Sequence, residues 1–363
     1  MVNFKKIYRF QGMNTTAIPS DPQLTCDEYA RITPPFGSWP ADGSLPQGYF
    51  TRDQADQFAP FFQEQGFLVL HNALSAAEVQ ELRDETTAVS RNATGEIRGI
   101  EAAPAEMSDA EALARVLCIH FPHKLTKLFH HALSHPACVE VLTRVVGPNV
   151  KCMQSMLFIK GAGKPGQAWH QDEDYIPTRD RSLIGAWIAL DDATLENGCL
   201  WVIPGSQKRG LLWPQKFHFD DRFDCSRESY NFPWKDEDSV PVEVKAGSIV
   251  FFNGYLLHRS LPNRAQPGNY RRALVNHYMT AESLLPWHKP GERQAMATHD
   301  YRDIVMVAGE DPWAFKGTQE IATASVRAMG GGGCADWTNE KQIALAAKVK
   351  AEKAVQEPVP ALD

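Results

Sequence analysis

The sequence predicts a mainly β protein with helices, of the α+β class. Its core is a double-stranded β-helix (jelly roll, cupin-like), with N-terminal helices packed on it. Three observations point there. From residue 150 the chain runs as short β-rich segments parted by turn signals such as Gly161-Ala162-Gly163 and Glu196-Asn197-Gly198. Before residue 150, apolar residues recur at helical spacing. The triplet His170-Gln171-Asp172 holds two metal-ligand types two residues apart. On a strand, such residues share a face; on a helix they point nearly opposite ways.

In chain order, residues 1–50 are rich in Pro and Gly without a clear period and read as an irregular arm. Residues 52–65 read as helical, and Gly66-Phe67-Leu68-Val69-Leu70 as a short buried strand. Ser75 with Glu78 forms a capping box, so a helix should run from Ala76 to about Arg91. A polar loop, 92–110, precedes helical stretches at 110–117, 124–133 and 136–146, the last stopped by Gly147-Pro148. Strands follow at 150–160, 183–191, 199–203, 248–253 and 271–279. The segment 207–245, rich in aromatics, reads as a lid-like insertion over a substrate. Residues 318–328 and 338–355 read as helices on either side of Gly330-Gly331-Gly332-Gly333. This divides the chain into an arm (1–50), a catalytic jelly roll (51–300) and a C-terminal helical extension (301–363).

Of the 363 residues, 43% are hydrophobic and 22% charged, as in soluble globular proteins. A net charge of −7 argues against nucleic acid as the main partner. No run of 18 apolar residues exists to span a membrane, and the N-terminus lacks the apolar stretch of a signal peptide. The 7 cysteines include no CxxC pair, which suits structural thiols in the cytoplasm. A small-molecule substrate is expected. Self-association through the C-terminal helix stays open.

Two imidazoles and a carboxylate form the facial triad of non-haem Fe(II) oxygenases. His170 and Asp172 supply two of the three ligands. His258 supplies the third, after the buried run Gly247-Ser248-Ile249-Val250-Phe251-Phe252. A second triplet, His218-Phe219-Asp220, lies in the polar insertion and reads as a solvated loop. The cluster His120, His123, His130, His131 and His135 reads as structural, without a carboxylate in strand context. An oxygenase of this kind also needs a buried cation for the distal carboxylate of 2-oxoglutarate, and arginine matches that geometry. Arg271 and Arg272 are adjacent on a predicted strand, so only one can face the pocket, and parity alone does not choose.

At this point the chain resembles the phytanoyl-CoA dioxygenase family of Fe(II)/2-oxoglutarate enzymes. Carrying the resemblance are Gly66–Leu70 with Leu74-Ser75 and Glu78-Val79, Gln154-Ser155-Met156, the block Gly185–Thr194 through Glu196–Ser206, and His258–Asn263 with Arg271-Arg272-Ala273. It covers about 60 to 285. It implies His170, Asp172 and His258 as iron ligands and Arg271 as the carboxylate anchor. Ser260 resembles a second contact to that carboxylate, and Met156 and Trp187 resemble pocket residues beside the cosubstrate. Lys127 resembles a family lysine that reaches it. The implied cofactors are Fe(II), 2-oxoglutarate and O2, and the implied reaction is hydroxylation, or another oxidation of a C–H bond, with release of succinate and CO2. Related halogenases have a small residue in place of the carboxylate, so Asp172 favours hydroxylation. Acidic residues outnumber basic ones in 207–245, which argues for a small organic substrate over a coenzyme A thioester. The competing class is a non-oxidative jelly-roll metal protein, a Lewis-acid enzyme or a ligand-binding module.

Overall fold

The computed structural model describes residues 39–40, 43–218, 220, 222–224, 227–284 and 303–327. All of them lie in the second of two units, 34–363. Five α-helices precede most of the sheet. They are α1 (Phe58–Gln65), α2 (Ala76–Ser90), α3 (Asp109–Ala114), α4 (Lys127–Ala132) and α5 (Pro136–Val145). Local chemistry sets their ends. Gly66 closes α1 at φ 80, a left-handed turn that suits glycine. Ser75 and Glu78 cap α2 reciprocally, and Ser108 and Glu111 do the same for α3.

The strands in chain order are β1 (Tyr49–Phe50), β2 (Phe67–Leu70), β3 (Cys118–His120), β4 (Val150–Lys160), β5 (Gln167–His170), β6 (Ile184–Ala189), β7 (Leu200–Val202), β8 (Gln215–Phe217), β9 (Arg227–Ser229), β10 (Val240–Val242), β11 (Ile249–Asn253), β12 (His258–Ser260), β13 (Arg271–Thr280), β14 (Val305–Ala308) and β15 (Ser325–Arg327). A large sheet runs in the order β1-β2-β11-β6-β13-β4-β3-β15, with β14 also on β4. A small sheet runs β10-β7-β12-β5, and β8 pairs with β9 as a separate ribbon. These are the two sheets of the expected jelly roll.

Alternation along the large sheet divides its residues between two jobs. Leu157, Ile159, Ile188, Phe251 and Leu274 face outward into one core with Phe58, Phe62, Leu82, Phe129 and Leu142 of the helices. Met156, Phe158, Trp187, Phe252 and Val275 face the opposite way, into a cavity. Leu157 is fully buried, so Leu157→Ala should cost about 2–5 kcal/mol.

The described part of the C-terminal extension corrects the sequence reading. Residues 303–327 form β14, β15 and a 3-10 turn, Ala314–Lys316, where 318–328 reads as helical. Ser325, Val326 and Arg327 pair with His120, Ile119 and Cys118, so sheet pairing overrides the local helical spacing. The predicted helix at 338–355 and the arm up to residue 38 lie outside the described residues. Strand β3 is also absent from the sequence reading, since three residues are too few to show a period.

Candidate metal centre and cosubstrate cavity

β5 and β12 are antiparallel neighbours, and His170 pairs directly with His258. Their ring centroids stand 4.1 Å apart. Directly opposed residues have Cβ atoms about 5 Å apart, so register alone brings two imidazoles to one point. The same device turns both rings. Nδ1 of His170 lies 2.7 Å from the Ala168 carbonyl, and Nδ1 of His258 lies 3.0 Å from that of Leu256. A carbonyl can only accept, so each Nδ1 carries the proton and each Nε2 offers its lone pair.

Asp172 is not on the strand. β5 ends at His170, and Asp172 opens a 3-10 turn, Asp172–Asp174. Gln171 between them is still extended, at φ −130 and ψ 126, so strand alternation holds for one more residue. The carboxylate therefore arrives on the same side as His170. Its Oδ1 lies 3.6 Å from Nε2 of both His170 and His258. One ligand atom from each residue falls within 4.8 Å of the others. Ligands about 2 Å from a first-row metal stand roughly 3–4 Å apart, so these three fit one ion with a small inward shift.

Electrostatics suit that role. Burial pushes the His258 imidazole down to about 4, helped by the nearby His170, so His258 is neutral at pH 7. Burial alone would raise the Asp172 carboxyl. The imidazole of His258, the hydrogen bond from His277 and the imidazole of His170 outweigh it and hold the group below the usual carboxylate range. A neutral imidazole and an ionised carboxylate are the forms that bind metal.

The ligands open on a cavity of about 200 Å³. Arg271, Ser260, Met156 and Trp187 all line it. Arg272 does not, because it forms an ion pair with Asp191. Arg271 is 2% exposed, and its Nε has no hydrogen-bond partner among the described residues. Its guanidinium lies 5.3 Å from the Trp187 ring. Burial pushes it down only to about 10, so it stays charged. A buried, charged guanidinium with an orphaned donor is what the far carboxylate of a keto-diacid requires. Ser260 Oγ accepts from Lys160 Nζ at 3.0 Å and from the Gln167 N–H at 3.3 Å. With both acceptor positions used, its own proton remains for a ligand in the cavity. The donor set and the cradle thus fit Fe(II) and 2-oxoglutarate.

Lys127 does not join them. It is exposed in the first turn of α4 and is not among the cavity-lining residues. His120 is there instead. It ends β3 and lines the cavity, contrary to its structural reading; His123 is buried against Ser155 as that reading expects. His277 is the residue the sequence reading missed. It lines the cavity and sets Nε2 3.0 Å from Asp172 Oδ2. Its signal was parity, since it shares the Arg271, Ala273, Val275 face of β13.

The second triplet plays no part in the cavity. Asp220 pairs with Arg222, and the His218 ring packs on Phe223. No described residue of 207–245 lines the cavity. This segment instead covers the outside of the small sheet, where Trp169 meets Phe232 and Asp236. It touches the metal loop through Gln171, whose side chain bonds Leu211 and Trp213.

The two sheets and the cavity define a jelly-roll protein with a two-histidine, one-carboxylate candidate metal site. The sequence model of the phytanoyl-CoA dioxygenase family matches residues 62–273, more than half of the chain. The chain belongs to that family, whose members depend on Fe(II) and 2-oxoglutarate. It is 40% identical to a phytanoyl-CoA dioxygenase of Arabidopsis thaliana over 126 residues, 34% of this chain and 42% of that one. The chain therefore spans less than half of that relative's length. It is 27% identical to the peroxisomal phytanoyl-CoA dioxygenase of Bos taurus over 275 residues, 71% of this chain and 80% of that one. Among solved structures, the apo form of the non-heme monooxygenase ThoJ superposes with a TM-score of 0.53 at 20% identity, covering 82% of this chain and 96% of that one. That likeness bears on the fold alone. No helix among the described residues is long and apolar enough to cross a membrane.

Proposed function

We propose that the chain is an Fe(II)- and 2-oxoglutarate-dependent dioxygenase that hydroxylates a C–H bond of a small organic molecule, with release of succinate and CO2. One observation carries this reading: Arg271, buried and with an Nε that has no hydrogen-bond partner among the described residues, opens into the same cavity as His170, Asp172 and His258. A Lewis-acid centre does not by itself require such a cation, whereas a bound keto-diacid does. Metal and cosubstrate together supply the oxidising power when bound. The chain's own residues bind and orient. His170, Asp172 and His258 would hold the metal ion and leave positions for cosubstrate and O2. Arg271 and Ser260 would hold the far carboxylate of the cosubstrate, with Trp187 and Met156 lining the same cavity. Phe252, Ile176 and Val275 give the remaining space an apolar wall that excludes water.

Among the described residues, Arg271 is the one arginine or lysine lining the cavity, and the cosubstrate would use it. That leaves no further arginine or lysine lining the cavity among the described residues for a second anionic group, and supports a small organic substrate over a coenzyme A thioester. The test is succinate release with parallel panels of free acids, neutral metabolites and acyl-CoA thioesters. Turnover confined to thioesters would overturn the substrate reading. Anaerobic Fe(II) with 2-oxoglutarate should give a weak visible charge-transfer band, and its absence would overturn the oxygenase reading.

A further inference from the structure

His277 has no place in the chemistry assigned so far. It sits near the end of β13, 4% exposed, paired across the sheet with Gln154 on β4 and Gly185 on β6. The β13–β4 register shifts immediately after it, so that Tyr278 pairs with Cys152 and Met153 is skipped. Such bulges re-aim a side chain and gather near active sites. Here the side chain is aimed at a ligand. His277 Nε2 lies 3.0 Å from Asp172 Oδ2, while Asp172 Oδ1 faces Nε2 of His170 and of His258. The two carboxylate oxygens are thereby divided, one toward the metal position and one toward His277.

The other nitrogen of the ring shows what His277 is for. Its Nδ1 is buried and has no hydrogen-bond partner among the described residues. A histidine kept for packing would have both nitrogens satisfied, because a buried unpaired polar atom costs about 1–3 kcal/mol. An apolar ring would fill this position without that cost. The contact with Asp172 is the compensating gain.

We propose that His277 is a positioning residue that holds Asp172 to one-oxygen ligation. A carboxylate can bind a metal through one oxygen or both. Two-oxygen binding by Asp172 would consume a coordination position that cosubstrate and O2 require. A hydrogen bond from His277 Nε2–H to Oδ2 engages the second oxygen and fixes the rotation of the carboxylate. This inference rests on the reading of His170, Asp172 and His258 as metal ligands.

The test is Co(II) binding to the purified full chain, by calorimetry and by the visible spectrum of the bound ion. Co(II) serves as an air-stable probe for Fe(II). His277→Phe should bind it about 10–100-fold more weakly, the usual effect of losing a hydrogen bond to a metal ligand, and its visible band should change shape. His277→Gln, whose amide nitrogen sits near the place of Nε2, should recover affinity and band. Should His277→Phe fail to fold by circular dichroism, His277→Asn makes the same comparison: it is polar, but its amide falls short of Asp172. Unchanged affinity and spectrum in the folded Phe or Asn variant would overturn the proposal. So would a Gln variant as weak as the Phe variant, since packing alone would then explain the loss. If the unaltered chain binds no Co(II), the metal-centre reading falls and takes this inference with it, a result distinct from the other two.

Discussion

Arg272 grips Asp191 through two parallel hydrogen bonds, Nε to Oδ2 and Nη2 to Oδ1, each 2.8 Å long. That fork settles which of two adjacent arginines is left for the cavity. Arg271→Ala should therefore weaken 2-oxoglutarate binding by roughly 10–150-fold, the worth of a charged hydrogen bond at about 1.5–3 kcal/mol. Arg272→Ala should leave 2-oxoglutarate affinity unchanged and lower stability by about 1–3 kcal/mol, because it strips a partner from a mostly buried carboxylate. Calorimetric titration and urea unfolding of the two variants give the comparison.

Asp172→Ala and His258→Ala should each abolish turnover and metal retention while the fold persists. A chelator should do the same to the unaltered chain, reversibly on return of Fe(II). Metal content and succinate yield, measured on one preparation, check both. Full activity in either variant would contradict the metal centre.

Lys160 lies on β4 opposite Arg271 and holds the Ser260 hydroxyl and the Leu261 carbonyl, 3.0 and 2.7 Å away. Lys160→Met keeps the bulk and removes the donor. Ser260 should then lose its fixed orientation, and 2-oxoglutarate affinity should fall about tenfold, one hydrogen bond's worth. Metal affinity should stay put, because the metal ligands are elsewhere in the cavity. Ser260→Ala should be no worse when combined with Lys160→Met, which a double-mutant cycle measures.

His123 should make stability depend on pH. Burial, then the neighbouring Lys124, lowers its imidazole to about 4, against an ordinary 6.5. The unfolded chain therefore takes up the proton first as pH falls. Stability from this group is full above 6.5 and is lost between 6.5 and 4, at about 1.4 kcal/mol per pH unit. Unfolding midpoints measured from pH 7 to 4 should show a shallower slope in His123→Gln.

The sequence revealed strands and capped helices because each is a local matter of period and end chemistry. Ser75 with Glu78 and the 150–160 run were legible for that reason. The ligands were legible because residue type and spacing already carry the metal chemistry. Asp172 reached the expected side for a different local reason, an extended Gln171 leading into a 3-10 turn. The choice between Arg271 and Arg272 needed Asp191, whose position is set by a different strand connection. His277 had only parity with Arg271 to mark it, and His120 has no local signature; sheet order β13-β4-β3 brings their strands together. Lys127 matched a pattern in type but sits on a helix surface. Long-range pairing also explains β15, whose short run takes its shape from His120, Ile119 and Cys118.

Gln171, 1% exposed, spends its whole amide on staples: Nε2 to the carbonyls of Leu211 and Tyr255, Oε1 from the Trp213 N–H. The peptide between two ion-holding side chains is thus sewn to a stretch coded forty residues later. Trimming that stretch would not merely bare a surface. It would unpick the seam that keeps the aspartate's turn in place, so the outer strap and the inner centre must vary together or not at all.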